Sequence, residues 1–333
     1  MRIARYVTLS ALIAVACGGT DPAGVGVLPI DPGASTSGSG AKSGSDAGAP
    51  AASGGDGSPA VNPPDAPVST PPGPPPAAAS KDAFGVTMLN ATKPGGETWS
   101  LAADPRSDPR FDPQLAITQN ADGSWKIKSA QVRMDVFTSS GYTLTTSSTQ
   151  DRTTLASRGY MQSPSDWRNV EITGFVKVNA GGADSHITWY ARGGKHSDPI
   201  PCEGSAYKGS LTADGQMRFQ KESWHVDYDQ SPYAKVTSSY LGRWMGFKTI
   251  LRNVTVNGAT AVHMEAWLND SADKVTWTKV YAFDDAGAWG GNSTHCGGAD
   301  DKMPLTWGGP ITAFRWDDST DVDFKWLSVR ELE

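Results

Sequence analysis

Residues 81–333 are predicted to form an all-β fold, a jelly roll or β-sandwich, on three observations. Helix signals are almost absent from Lys81 to Glu333. Apolar and polar residues instead alternate with period two over many short runs, as half-buried strands require. Turn-forming clusters (NADGS, TADGQ, VNGAT, LNDSADK, DDAGAWGG) separate those runs at roughly even spacing, the pattern of antiparallel β architectures.

In chain order, "NVEITGFVKVN" sets Val170, Ile172, Val176 and Val178 against Glu171, Thr173, Phe175 and Lys177. "SHITWYARGGKHSD" places His186, Thr188, Tyr190 and Arg192 on one face, and Ile187, Trp189 and Ala191 on the other. A Gly-Gly break then delivers Lys195 and His196. "PCEGSAYKGSL" carries Glu203, Tyr207 and Lys208. In "MRFQKESWHVDY" period two groups Lys221, Ser223 and His225, and turns Gln220, Glu222 and Trp224 the other way. "TAVHMEAWLND" sets Val262, Met264, Ala266 and Leu268 opposite His263, Glu265 and Trp267.

The N-terminal stretch "MRIARYVTLSALIAVAC" has a basic start, an apolar run too short to span a bilayer, and a small-residue site, which together read as a secretory signal. "AVAC" resembles the lipobox of bacterial lipoproteins. That resemblance implies cleavage before Cys17 and its diacylation; the alternative is an ordinary signal peptide. Residues 18–80 are mostly Gly, Ser, Ala, Pro and Asp. They are too poor in apolar residues to bury a core, and are expected to stay disordered as a tether. The expected organisation is therefore a signal at 1–17, a linker at 18–80 and one β domain at 81–333. The product is secreted across the inner membrane, held at the cell envelope or surface by lipid alone, and monomeric.

All 12 Trp lie beyond the tether, and the net charge of −6 gives no basic stripe of the kind nucleic acid requires. Cys202 and Cys296 remain as an even pair in an oxidising compartment, so a disulfide is predicted. A Cys-Cys-His zinc site is the alternative, without close CxxC spacing.

The order "GRWMGFKTILRNV", "NGATAVHMEAWLND", "DKVTWTKVYAFDD", "FRWDDSTDVDFKWLSVREL" resembles the concanavalin A-like lectin/glucanase superfamily over roughly Trp167 to Glu333. The carrying positions are Trp244, Gly246, Lys248, Glu265, Trp267 and Asn269, where Asn269 replaces an Asp. The resemblance implies two curved antiparallel sheets, a final strand lying beside the first, and a concave face that commonly holds sugar chains. Lys248 is expected to be structural, its stem over aromatic surface and its amine in water.

The collected side chains suit β-eliminative cleavage of a uronate-containing polysaccharide. That reaction needs a cation to neutralise the carboxylate, a base at C5 and an acid for the leaving oxygen. Arg192 is the candidate neutraliser, His225 or His196 the base, and Tyr190 or Tyr207 the acid. Lys195, Lys208, Lys221 and Glu222 would hold the acidic chain. Jelly-roll polysaccharide lyases use this set of residue types, although the Q-[IV]-H strand of alginate lyases is missing here. A retaining glucanase would need paired Glu on one face, and no E-x-x-x-E occurs. For Arg192 the alternative is an ion pair with Glu171 or Glu222, and for His225 a hydrogen-bonded core histidine. A non-catalytic, lectin-like binding module is the second functional expectation. No cofactor is required, although Asp284, Asp285, Asp300 and Asp301 form a candidate Ca²⁺ cluster, against a plain solvated loop.

Overall fold

The computed structural model describes residues 80–141, 161, 163–193, 205–223, 227–290 and 302–333. Among them there is no α-helix. The strands are β1 (Thr98–Ser100), β2 (Phe111–Asp112), β3 (Thr118–Gln119), β4 (Trp125–Ile127), β5 (Gln131–Phe137), β6 (Val170–Gly193) and β7 (Ser205–Thr212). They continue with β8 (Gln216–Ser223), β9 (Asp227–Gln230), β10 (Ala234–Lys235), β11 (Met245–Val256), β12 (Ala259–Asn269), β13 (Thr278–Asp285) and β14 (Ile311–Glu331). Every pairing is antiparallel. The jelly-roll sandwich expected from the alternation is the fold observed.

Two long strands organise both layers. The second half of β6 pairs with β7, and its first half pairs with β11. β14 accompanies β6 along its length, with register shifts around Asp317–Val322. These shifts face the exposed bend at residues 179–184 of β6, where the ladder passes from one layer to the other. The first layer thus runs β9 and β10, β8, β7, β6, β14, β5, β2. The second runs β13, β12, β11, β6, β14, then β1 and β4.

The layers pack face to face. The indole of Trp189, in the first, donates to the carbonyl of Phe247, in the second (3.1 Å), and the two rings lie 5.8 Å apart. Gly209 makes this approach possible, because a Cβ there would stand 2.5 Å from Thr249 Oγ1. Trp167, Trp189, Trp316, Phe219 and Phe247 are fully buried in this core, where large aromatic rings supply much of the apolar burial.

The outer side of the second layer is covered as well. Glu171 accepts from Lys248 Nζ (2.6 Å), Arg330 Nη2 (2.6 Å) and the backbone of Leu89 (3.2 Å). Thr92 and Asp82, from the same N-terminal segment, bond Arg330 and Ser328. Glu171, Thr173 and Phe175 are therefore interior, and of that half only Lys177 stays half-exposed. The Lys248 amine, expected in water, is 1% exposed in a buried ion pair.

Candidate functional site

The outer face of the first layer carries three rows of side chains set by strand register. One row runs Asp135, Ala313, Tyr190, Lys208, Gln220. The next runs Arg133, Arg315, Thr188, Ser210, Arg218. The third contains Gln131, Asp317, His186 and Thr212. Glu222 and Tyr228 are cross-strand partners on the flank. The cause is plain alternation: Val132, Met134, Phe314, Trp316, Ile187 and Trp189 take the core side, which turns their neighbours outward.

These groups form two linked ionic clusters. Asp317 is the hub of one, with Arg315 Nε at 2.5 Å, Arg133 Nη1 at 3.1 Å and His186 Nε2 at 3.4 Å. Burial alone would raise its carboxyl, but the His186 hydrogen bond and both guanidinium charges hold it well below the usual carboxylate range. In the other, Lys208 Nζ meets Glu222 Oε2 at 2.5 Å, and lies 5.7 Å from the Tyr190 ring and 5.3 Å from the Tyr228 ring. Burial lowers the pKa of the Lys208 ammonium, against the opposing charge of Glu222. Burial, then the charge of Asp135, pushes the Tyr190 phenol well above its ordinary range, so it stays protonated at neutral pH. Asp135 in turn accepts from Gln114 Nε2 (2.8 Å).

Tyr190, Lys208 and Glu222 share this face, as their strand positions imply. Arg192 does not. Its φ of 75° breaks the alternation and throws the guanidinium inward, where it donates to Asn253 Oδ1 and the Leu305 carbonyl (2.6 Å each). It is fully buried and pairs with neither Glu171 nor Glu222. Tyr207 and Lys221 also lie inside. They are cross-strand partners on the core side, in register with the apolar parity of Met217 and Phe219. Tyr207 donates to Asp285 Oδ2 (2.6 Å), and Lys221 pairs with that same atom (2.8 Å). The Lys221 ammonium also donates to the carbonyls of Trp289 and Met303. This buried cluster ties Asp285, Trp289 and Met303 to β7 and β8.

Asp284 meets His263 on the outside of the second layer, whereas Asp285 is interior, so the two do not converge on one cation. Among the described residues no group of His, Cys, Asp or Glu is arranged to hold a metal ion. Cys17, Lys195, His196, Cys202, His225, Cys296, Asp300 and Asp301 lie outside the described residues.

Sequence reasoning missed Arg133, Asp135, Arg315, Asp317 and Tyr228. The signal was present in "QVRMDVF" and "TAFRWDD", which alternate polar and apolar residues. Their convergence depends on β14 lying between β5 and β6.

Chemically, the face offers two guanidinium groups beside a neutral phenol, with a lysine–carboxylate pair adjoining. It can bind an anion and donate a proton to a neighbouring oxygen.

No family model matches the chain, and no curated protein is similar to it in sequence. Several solved structures resemble it. A β-glucanase of Bacillus licheniformis is 7% identical, over 72% of this chain and 100% of its own, with a TM-score of 0.38. The carbohydrate-binding module CBM66 of Bacillus subtilis is 8% identical, over 67% and 96%, with a TM-score of 0.35. The alginate lyase vAL-1 of Chlorella virus is 8% identical, over 66% and 92%, with a TM-score of 0.36.

Proposed function

We propose that the chain cleaves a uronate-containing polysaccharide by β-elimination on the outer face of the first layer. The observation that carries this reading is the meeting of Arg133 and Arg315 with a phenol held neutral, Tyr190, on one partly shielded sheet face. The arginines, turning from Asp317, neutralise the uronate carboxylate and so stabilise the charge that develops when C5 loses its proton. The electron pair of that C–H bond forms the C4–C5 double bond, and the C4–O4 bond breaks. Tyr190 gives its proton to the departing oxygen. The high pKa of Tyr190 suits an acid rather than a phenolate base, so the C5 proton passes to a separate base, for which His225 and His196 are the sequence candidates. Lys208 and Glu222, with Tyr228, position the sugar beside Tyr190.

The second reading is a non-catalytic, lectin-like module. It is favoured by one feature: the three cations nearest Tyr190 are already paired with carboxylates, Arg133 and Arg315 with Asp317 and Lys208 with Glu222. Such a neutralised surface suits binding. The test is ultraviolet absorbance of the unsaturated uronate when the chain meets alginate, pectate, glucuronan and glycosaminoglycans. A rising signal on one polymer supports elimination; flat traces with retained binding support the module. Under either reading the chain works at the cell envelope on a lipid at Cys17, and Cys17→Ser is expected to release it into the soluble fraction.

A further inference from the structure

A patch of lysines and indole rings lies on the far side of the sandwich, outside the chemistry described above. Between Lys325 and Ser328 the register of β14 against β6 slips, and Trp326 sits at φ 53°. A slip of this kind lets successive residues project to the same side of a strand. Lys325 Nζ stands 3.9 Å from the Trp244 ring and 4.2 Å from the Trp326 ring. Lys274 Nζ stands 3.7 Å from the Trp326 ring. The result is a contact series Trp244, Lys325, Trp326, Lys274, all four half-buried rather than sealed.

Its charge runs against that of the molecule. The chain is acidic, at −6, yet Lys177 and Lys274 both lie close enough to Lys325 to disfavour its charge, as burial does first. Among the described residues none of these three lysines makes an ion pair. Asp122 is the nearby carboxylate, and its Oδ1 is taken by the backbone and hydroxyl of Ser124. Among the described residues, the Lys274 ammonium donates to the Phe84 carbonyl alone (3.0 Å). Asp122 offsets part of the repulsion at Lys325, but it closes no ion pair with any of the three ammonium groups gathered among these flat indole faces.

The geometry points to a second binding surface for an acidic glycan, with pyranose rings against Trp244 and Trp326 and carboxylates at Lys325, Lys274 and Lys177. The glycan class rests on the functional reading above, but the surface does not depend on elimination. Two glycan contacts on opposite sides of one domain would let it stay on a matrix of chains while the first face works, an avidity effect needing no coupling between them.

The experiment measures retention of the full chain in affinity gels containing alginate or polygalacturonate, with a neutral β-glucan as control. It compares wild type, Lys325→Glu, and Trp244→Ala combined with Lys325→Gln. Circular dichroism and melting temperature check that each variant folds. Retention in the acidic gels is expected to weaken by roughly tenfold or more in both variants, and to fall with added salt in the wild type. Rates of unsaturated-product formation on short oligosaccharides should stay unchanged. A chain that forms no unsaturated product, yet loses acidic-gel retention on Lys325→Glu, would keep this surface and remove the lyase. Unchanged retention in both folded variants overturns the surface. So does wild-type binding to anionic lipid vesicles rather than to either acidic glycan.

Discussion

Arg192→Ala separates structure from chemistry, and its size can be worked from the contacts. The substitution strands two acceptors, the half-buried Asn253 Oδ1 and the buried Leu305 carbonyl, each bonded at 2.6 Å in the wild type. Leaving a buried polar group unpaired costs about 1–3 kcal/mol. The vacated volume adds about 2 kcal/mol, the lower end for large-to-small core changes. Against this, the buried guanidinium is itself unfavourable. Burial moves its pKa from 12.5 down to about 10, a difference that corresponds to about 3 kcal/mol returned on its removal. The net loss is about 3 kcal/mol, a fall in melting temperature of roughly 6–12 °C for a domain of this size. Calorimetry checks the first part. Turnover of the folded fraction, measured well below the transition, should stay within about threefold of wild type, because Arg192 faces away from Tyr190. A variant that melts like wild type but has lost turnover would refute the reasoning and return Arg192 to the catalytic face.

Three further outcomes follow from the packing and charges. Gly209→Ala drives a methyl to 2.5 Å from Thr249 Oγ1 and should cost about 1–3 kcal/mol; denaturant titration should show part of that recovered on adding Thr249→Ala. Glu265 is held at about 2, first by its hydrogen bond from His263. Its stabilising contribution is present above the ordinary carboxyl value of 4.5 and lost as pH falls toward 2, so the melting-temperature gap between wild type and Glu265→Gln should close over that window. The bonds to Glu265 and Asp284 raise the His263 pKa above 6.5. That contribution is complete below 6.5 and disappears as pH rises through the raised value, so the gap to His263→Gln should narrow on the alkaline side instead.

How much of this was legible in the sequence depends on range. Alternation within a run is local, and it placed Val262, Met264, Ala266 and Leu268 inside and Tyr190 outside. It failed one step later, at Arg192, because a left-handed backbone at a non-glycine residue leaves no trace in residue spacing. Lys221 was misread although its parity matched Met217 and Phe219. A lysine on an apolar stripe is unexpected unless a buried carboxylate waits for it, and Asp285 comes from a distant strand. Arg133 and Arg315 were invisible as a pair for the same reason. Each alternates correctly in its own strand, but their meeting is set by the register of β5 against β14. The buried Glu171 shows the converse: the polar positions Glu171 and Thr173 are interior, because residues 82–92 fold back over Glu171.

The most direct measurement compares Tyr190→Phe with wild type on the polymer that gives the ultraviolet signal, recording turnover and glycan affinity together. Removing the phenolic proton alone should lower turnover by about 10²–10⁴-fold, the usual share of a positioned acid, while affinity changes by less than about threefold. Turnover that survives Tyr190→Phe would contradict the account and move the chemistry off this face.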